Sequence, residues 1–126
     1  MDIRNISPDD WDTLIKWGID KDKDLLPKDG TGGLMVHVEH LPIAAGFIYL
    51  TNSKLAFIND IIYDKNKDKK LLHNSLDLLI VAFEQTLKEL GFKTVVIINT
   101  DEMLNNSYKA LGWKEDITIN KLIKNL

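Results

Sequence analysis

Near its C-terminus the chain runs Asn105-Asn106-Ser107-Tyr108-Lys109-Ala110-Leu111-Gly112-Trp113. The segment Glu102 to Leu111 reads as a helix, and Gly112 supplies the residue type that most readily takes the left-handed conformation closing one. Two closing strands are expected around Trp113 to Leu122. The junction is therefore helix, glycine stop, strand.

Working upstream, Thr94-Val95-Val96-Ile97-Ile98 is β-branched throughout, which is how a strand covered on both faces reads. Before it, Leu72, Ser75, Leu76, Leu79, Ala82, Phe83, Thr86, Leu87 and Leu90 recur at helical spacing from Leu71 until Gly91. This predicts the longest helix. Asp64 to Lys70 is a charged connection. Leu34 to Glu39, Ile43 to Leu50 and Leu55 to Tyr63 form three strands, with His40-Leu41-Pro42 and Thr51-Asn52-Ser53-Lys54 as turns. In the first strand Leu34, Val36 and Val38 are expected on one face, and Met35, His37 and Glu39 on the other. Within the second, Ala44-Ala45-Gly46 leaves room for a close approach. Residues 2 to 6 alternate as a short strand, and Ser7-Pro8-Asp9-Asp10 starts a helix carrying Trp11, Leu14 and Ile15 to Gly18. Residues 20 to 33 read as a loop or a frayed second helix. A strand, helix, strand order with the buried strand parallel to the meander predicts a mixed α/β sheet flanked by helices.

With 126 residues and 44% hydrophobic content, a single domain spanning residues 1 to 126 is expected. No cysteine is present, so neither disulfides nor thiolate metal sites hold the fold, which suits a reducing cytoplasm. A net charge of -3 argues against a general nucleic-acid binder, since phosphate contacts need a basic surface. Met1-Asp2-Ile3-Arg4 lacks the apolar core of a signal peptide, and no apolar run reaches membrane-spanning length. A cytoplasmic protein is expected. His37 and His40, three apart on a strand and its turn, point to opposite faces, so no metal site is expected. Trp11 and Trp17 read as packing residues.

Gly91-Phe92-Lys93, the buried strand and then Tyr108-Lys109-Ala110-Leu111-Gly112-Trp113 resemble the GNAT superfamily of N-acetyltransferases, whose last helix ends in a tyrosine, three residues, glycine and an aromatic. The stretch Ala44 to Ala56 is similar to the central hairpin of short GNAT-like proteins often carried by bacteriophages. The resemblance implies a mostly antiparallel sheet whose one parallel pair, Leu55 to Tyr63 and Lys93 to Ile98, splays open to take acetyl-CoA. Backbone groups of Ile61, Ile62 and Tyr63 would pair with the pantetheine arm. Asn105 would also lie against the cofactor. The pyrophosphate would sit at the start of the long helix, over Lys69, Lys70, Leu71, Leu72, His73, Asn74 and Ser75. The family loop reads Arg or Gln, two residues, Gly, one residue, Gly or Ala; here Leu71, Asn74 and Leu76 stand at those positions.

Acetyl transfer to an amine needs a neutral amine, a polarised carbonyl and a stabilised thiolate. A protonated alkylamine ionises near 10.4, so a base must take a proton. The resemblance makes Asp60 that carboxylate, with Glu39 a weaker substitute and a strand-edge ion pair the plainer role. Tyr108 would donate to the departing sulfur; a tyrosine packed beneath the last strand is the plainer role. The implied function is an acetyl-CoA-dependent N-acetyltransferase acting on a small-molecule or peptide amine by direct attack in a ternary complex. Homodimers are frequent for the fold. The Leu71 to Leu76 loop motivates a second reading, a GNAT-shaped module without cofactor affinity that engages a protein, for example a host factor in a phage setting.

Overall fold

The computed structural model describes residues 1–19, 32–97, 101–115 and 124. Its elements are β1 (Asp2–Asn5), a 3-10 turn (Pro8–Asp10), α1 (Trp11–Lys16), β2 (Gly33–Val38), β3 (Leu41–Leu50), β4 (Leu55–Tyr63), α2 (Lys69–Glu89), β5 (Thr94–Ile97) and α3 (Glu102–Ala110). The strands form one sheet in chain order, antiparallel from β1 to β4 and parallel between β4 and β5. The mixed α/β sheet expected from the sequence is what forms.

Helices cover both faces. Leu14 of α1 packs with Ile6, Met35, Ala45 and Phe47 on one side, while Leu79, Phe83 and Leu87 of α2 pack with Val36, Ala56 and Ile58 on the other. Neighbours Met35 and Val36 are therefore both fully buried, where the sequence pattern had set one face of β2 against the other as apolar against mixed. A strand roofed on both sides needs no polar face. Trp11 stacks on Phe47 with ring centroids 6.3 Å apart and planes 15° from parallel, the packing role expected of it.

Several boundaries differ from the sequence reading. The β2–β3 turn is Glu39-His40 alone, because Glu39 takes a φ of 57° that closes a tight turn, and Leu41 and Pro42 already lie in β3. Pro42 is tolerated there because the ladder shifts register at its partner, between Val36 and His37. Helix α2 starts at Lys69, two residues before Leu71, because Asp68 caps it. Thr94 is exposed and Val95, Val96 and Ile97 are half-buried, so among the described residues β5 is an edge strand rather than one covered on both faces. Residues 113–115 form no strand, and the remainder of the two closing strands, to Leu122, lies outside the described residues, as does most of the loop at 20–33. Among the described residues no helix is long and apolar enough to cross a membrane.

One ion pair ties β1 to the start of α1. The Arg4 guanidinium donates to both oxygens of Asp10, each at 2.8 Å, and the Ser7 amide donates to Oδ2 at 2.8 Å. Asp10 is buried, and the paired arginine holds its carboxyl below the usual range. Replacing Arg4 by methionine strands that charge, so urea unfolding at pH 7 should show a loss of about 1–3 kcal/mol. The lowered carboxyl contributes above its unfolded value and its contribution disappears as pH falls through the folded one, so wild type and variant should converge below about pH 4.

Candidate functional site

The site begins with a miscount between two strands. Ala45 pairs with Ile62 and Phe47 with Asn59, so Gly46 alone faces both Asp60 and Ile61. A Cβ on Gly46 would lie 2.5 Å from Ile61 Cδ1 and 3.2 Å from Phe83 Cε2, so glycine is what lets the bulge seat. Asp60 takes the left-handed conformation, φ 55°, which a short polar side chain tolerates better than most. The Tyr49 hydroxyl, one strand over, donates to Asp60 Oδ2. Burial, and then the carboxylate, push that phenol well above its ordinary pKa.

Past the bulge β4 has no parallel partner among the described residues. The described β4–β5 ladder runs from Leu55–Thr94 to Ile58–Ile97, while β4 continues to Tyr63. Ile61, Ile62 and Tyr63 lie on the half of β4 beyond that ladder, and the stretch of chain after Ile97 lies outside the described residues, as does the splay implied by the resemblance.

Helix α3 begins beside the end of β4, where the Tyr63 hydroxyl meets Asp101. Its end explains the sequence motif physically. Gly112 (φ 94°) donates to the Lys109 carbonyl at 3.1 Å, and Trp113 donates to the Tyr108 carbonyl at 3.0 Å. These two bonds are the Schellman closure, in which the residue after the glycine packs on the residue five before it. The rings of Tyr108 and Trp113 meet at 5.8 Å, and Trp113 Nε1 donates to Glu84 of α2 at 2.7 Å. Tyr108 is thereby sealed among Ile43, Tyr63, Leu72 and Leu76, and its hydroxyl has no hydrogen-bond partner among the described residues. Burial, and then Asp101, drive its pKa upward. At the other end of α3, Asp101 accepts from the Leu104 amide at 3.5 Å and from the Tyr63 hydroxyl at 2.7 Å. Tyr63 is pushed up to about 12, by burial first and then by Asp101.

The start of α2 is less open than a phosphate site requires. The Asp68 carboxylate accepts from the amides of Lys70 and Leu71, at 3.1 and 3.3 Å. Lys69, Lys70 and Asn74 are exposed and His73 is half-buried, whereas Leu72 and Ser75 are buried side chains. Ser75 donates to the Met1 sulfur at 3.7 Å. Asn105 is half-buried in the first turns of α3, its amide bonded to the Asp101 carbonyl.

A pocket of about 230 Å³ joins these parts, lined by Trp17, Gly18, Ile19, Asp60, Ile61, Ile62, Tyr63, Lys65 and Asp101. It holds the expected acid Asp60 but not Glu39, which is exposed in the β2–β3 turn. Tyr49, Asp68 and Asp101 escaped the sequence reading. The two aspartates sit one residue ahead of helical periodicity, a capping signal open to detection. Tyr49 owes its place to strand register and left no local signal. His37 is committed to the Glu39 carbonyl at 2.7 Å, and among the described residues no group of three His, Cys, Asp or Glu is placed to hold a metal.

The sequence matches no protein-family model and no curated protein sequence. Solved structures do share the fold. An aminoglycoside acetyltransferase, meta-AAC0020, from an uncultured soil metagenomic sample is 18% identical, with a TM-score of 0.75 over 99% of this chain and 95% of its own. A GCN5-related N-acetyltransferase from Ralstonia eutropha JMP134 is 17% identical, with a TM-score of 0.72 over 97% of each chain. Rv2747 from Mycobacterium tuberculosis, in complex with CoA and NLQ, is 13% identical, with a TM-score of 0.69 over 84% of this chain and 69% of its own. The fold of this chain is that of the GNAT acetyltransferases.

Asp68 is a structural cap whatever else the helix start does. Asp68→Ala should lower stability by about 1 kcal/mol in denaturant unfolding, and Asp68→Ser, which still caps, by much less.

Proposed function

We propose that the protein is an acetyl-CoA-dependent N-acetyltransferase that transfers an acetyl group to a small-molecule or peptide amine by direct attack in a ternary complex. The observation that carries this reading is the Asp60 carboxylate, set by a bulge of β4 into a pocket with Ile61, Ile62 and Tyr63, together with the buried Tyr108 hydroxyl in one cluster with Tyr63 and without a hydrogen-bond partner among the described residues.

Acetyl-CoA, when bound, supplies the acetyl group as a thioester. The residues at the acyl end fit it: the backbone of Ile61, Ile62 and Tyr63, beyond the described ladder with β5, would hold the pantetheine arm and polarise the carbonyl. The start of α2 fits it less well, because the Asp68 carboxylate already takes two of the amides a pyrophosphate would use. There the exposed Lys69, Lys70 and Asn74, with the half-buried His73, supply donors, while Leu71, Leu72 and Ser75 offer backbone only.

Asp60 is placed to receive the proton that an alkylammonium must lose before its nitrogen can attack. Its bulge aims it off the strand line, and the Tyr49 hydroxyl donates to it and orients it. Tyr108 would donate to the departing sulfur. A thiol ionises near 8.5 and an ordinary phenol near 10, and burial raises this phenol further, so the tyrosine keeps its proton and stabilises the thiolate as a hydrogen-bond donor. Among the described residues that line the pocket, Asp60 and Asp101 face one cation, Lys65, which favours an acceptor that arrives positively charged.

Isothermal titration should detect acetyl-CoA binding, and Tyr108→Phe should cut turnover by tenfold or more with little change in acceptor KM. Asp68→Ser removes a like charge from the phosphate end and should tighten cofactor binding severalfold. Absence of binding at millimolar cofactor, in wild type and Asp68→Ser alike, would sink the enzyme and leave the protein-binding module.

A further inference from the structure

Asp101 touches more of the machinery than any other side chain outside the residues singled out above. It caps α3, accepts the Tyr63 hydroxyl, and lines the pocket that holds Asp60. Tyr108 stands in the last turns of the helix that Asp101 caps. Tyr63 joins them from the sheet: its ring belongs to the same cluster as Tyr108, and its hydroxyl ends on Asp101.

We infer that Asp101 is the positioning residue for Tyr108, fixing the first turn of α3 and the Tyr63 hydroxyl while presenting its negative charge to the buried phenol. The inference rests on the acetyl-transfer reading for its purpose, but its electrostatics do not. Toward Tyr108, β3 and α2 present apolar side chains such as Ile43, Leu72 and Leu76, and β4 presents Tyr63. Glu84 of α2 is bonded to Trp113, and Lys109 is paired with Glu115 at 3.1 Å with both side chains more than half exposed. Among the described residues Asp101 is thus the charged group that acts on the phenol, and its charge disfavours phenolate, as like charges in a poorly solvated site do. Burial acts in the same direction. The consequence is a division of labour. Tyr108 holds its O–H proton and lends it as a hydrogen bond while the carbon–sulfur bond breaks and its electron pair moves to sulfur; the proton that makes the free thiol comes from solvent.

The test replaces Asp101 by asparagine, which still caps a helix and still accepts from Tyr63 but carries no charge. The three tyrosines are labelled with monofluorotyrosine, which ionises at lower pH than tyrosine, and each resonance is assigned by its Tyr→Phe variant. Fluorine NMR titration should show the Tyr108 transition falling by about one pH unit in Asp101→Asn, tenfold in proton affinity. Asp101→Ser, a second capping residue, gives the same readout if the asparagine variant does not fold. In an active enzyme the alkaline limb of kcat should move down in parallel while the acceptor KM changes little. A Tyr108 transition that stays within about 0.2 pH units of wild type in a folded variant overturns the inference. Because the titration needs no turnover, a protein that never acetylates anything fails the activity assay and can still pass this one.

Discussion

The constraint on which the molecule depends is the single glycine that faces two residues. Gly46 makes β3 one residue shorter than β4 across the ladder, and the surplus is absorbed at Asp60 and Ile61. From that follow three things at once. The backbone past the bulge is redirected. Asp60 is turned out of the strand alternation, toward the α1 side where Tyr49 and Trp17 wait. Ile61 takes the space a Cβ would have filled, against Phe83 of α2. A side chain at position 46 would press on α2 and the bulge together, so the turn of the strand, the acid and the packing of the long helix share one cause.

Element types and order were legible in the sequence because both faces of the sheet are covered and each helix shows a long apolar stripe. Leu72 to Leu87 traces α2 with no break, and the β-branched run at Thr94 marks β5. The motif from Tyr108 to Trp113 was legible for a deeper reason: it is a closure geometry written in sequence, where the glycine and the next residue return their amides to the last turn. The boundaries that differed are those set by a single backbone angle or a single cap. Glu39 tightened a turn by adopting φ 57°, and Asp68 moved a helix start by offering its carboxylate.

The candidate site was legible only in part. Asp60 and Tyr108 could be named because each sits in a segment with a recognisable pattern. Their partners could not, since Tyr49 reaches Asp60 across a strand register and Tyr63 reaches Asp101 across 38 residues of chain. The site that results is two carboxylates each held by a tyrosine, one from the meander and one from the junction of β4 with α3. Such pairs restrict the carboxylates to a few orientations before any ligand arrives, which is how a small pocket can present charge without rearranging.

The Asp68 cap has a consequence for how the protein lives without its ligands. Helix starts that await a phosphate carry unsatisfied amides until one binds, and their first turn is ordered by ligand supply. Here the chain brings its own anion to two of those amides, so the first turn of its longest helix is complete in isolation. Order in that first turn is thereby written into the chain itself and does not wait on what the surroundings supply.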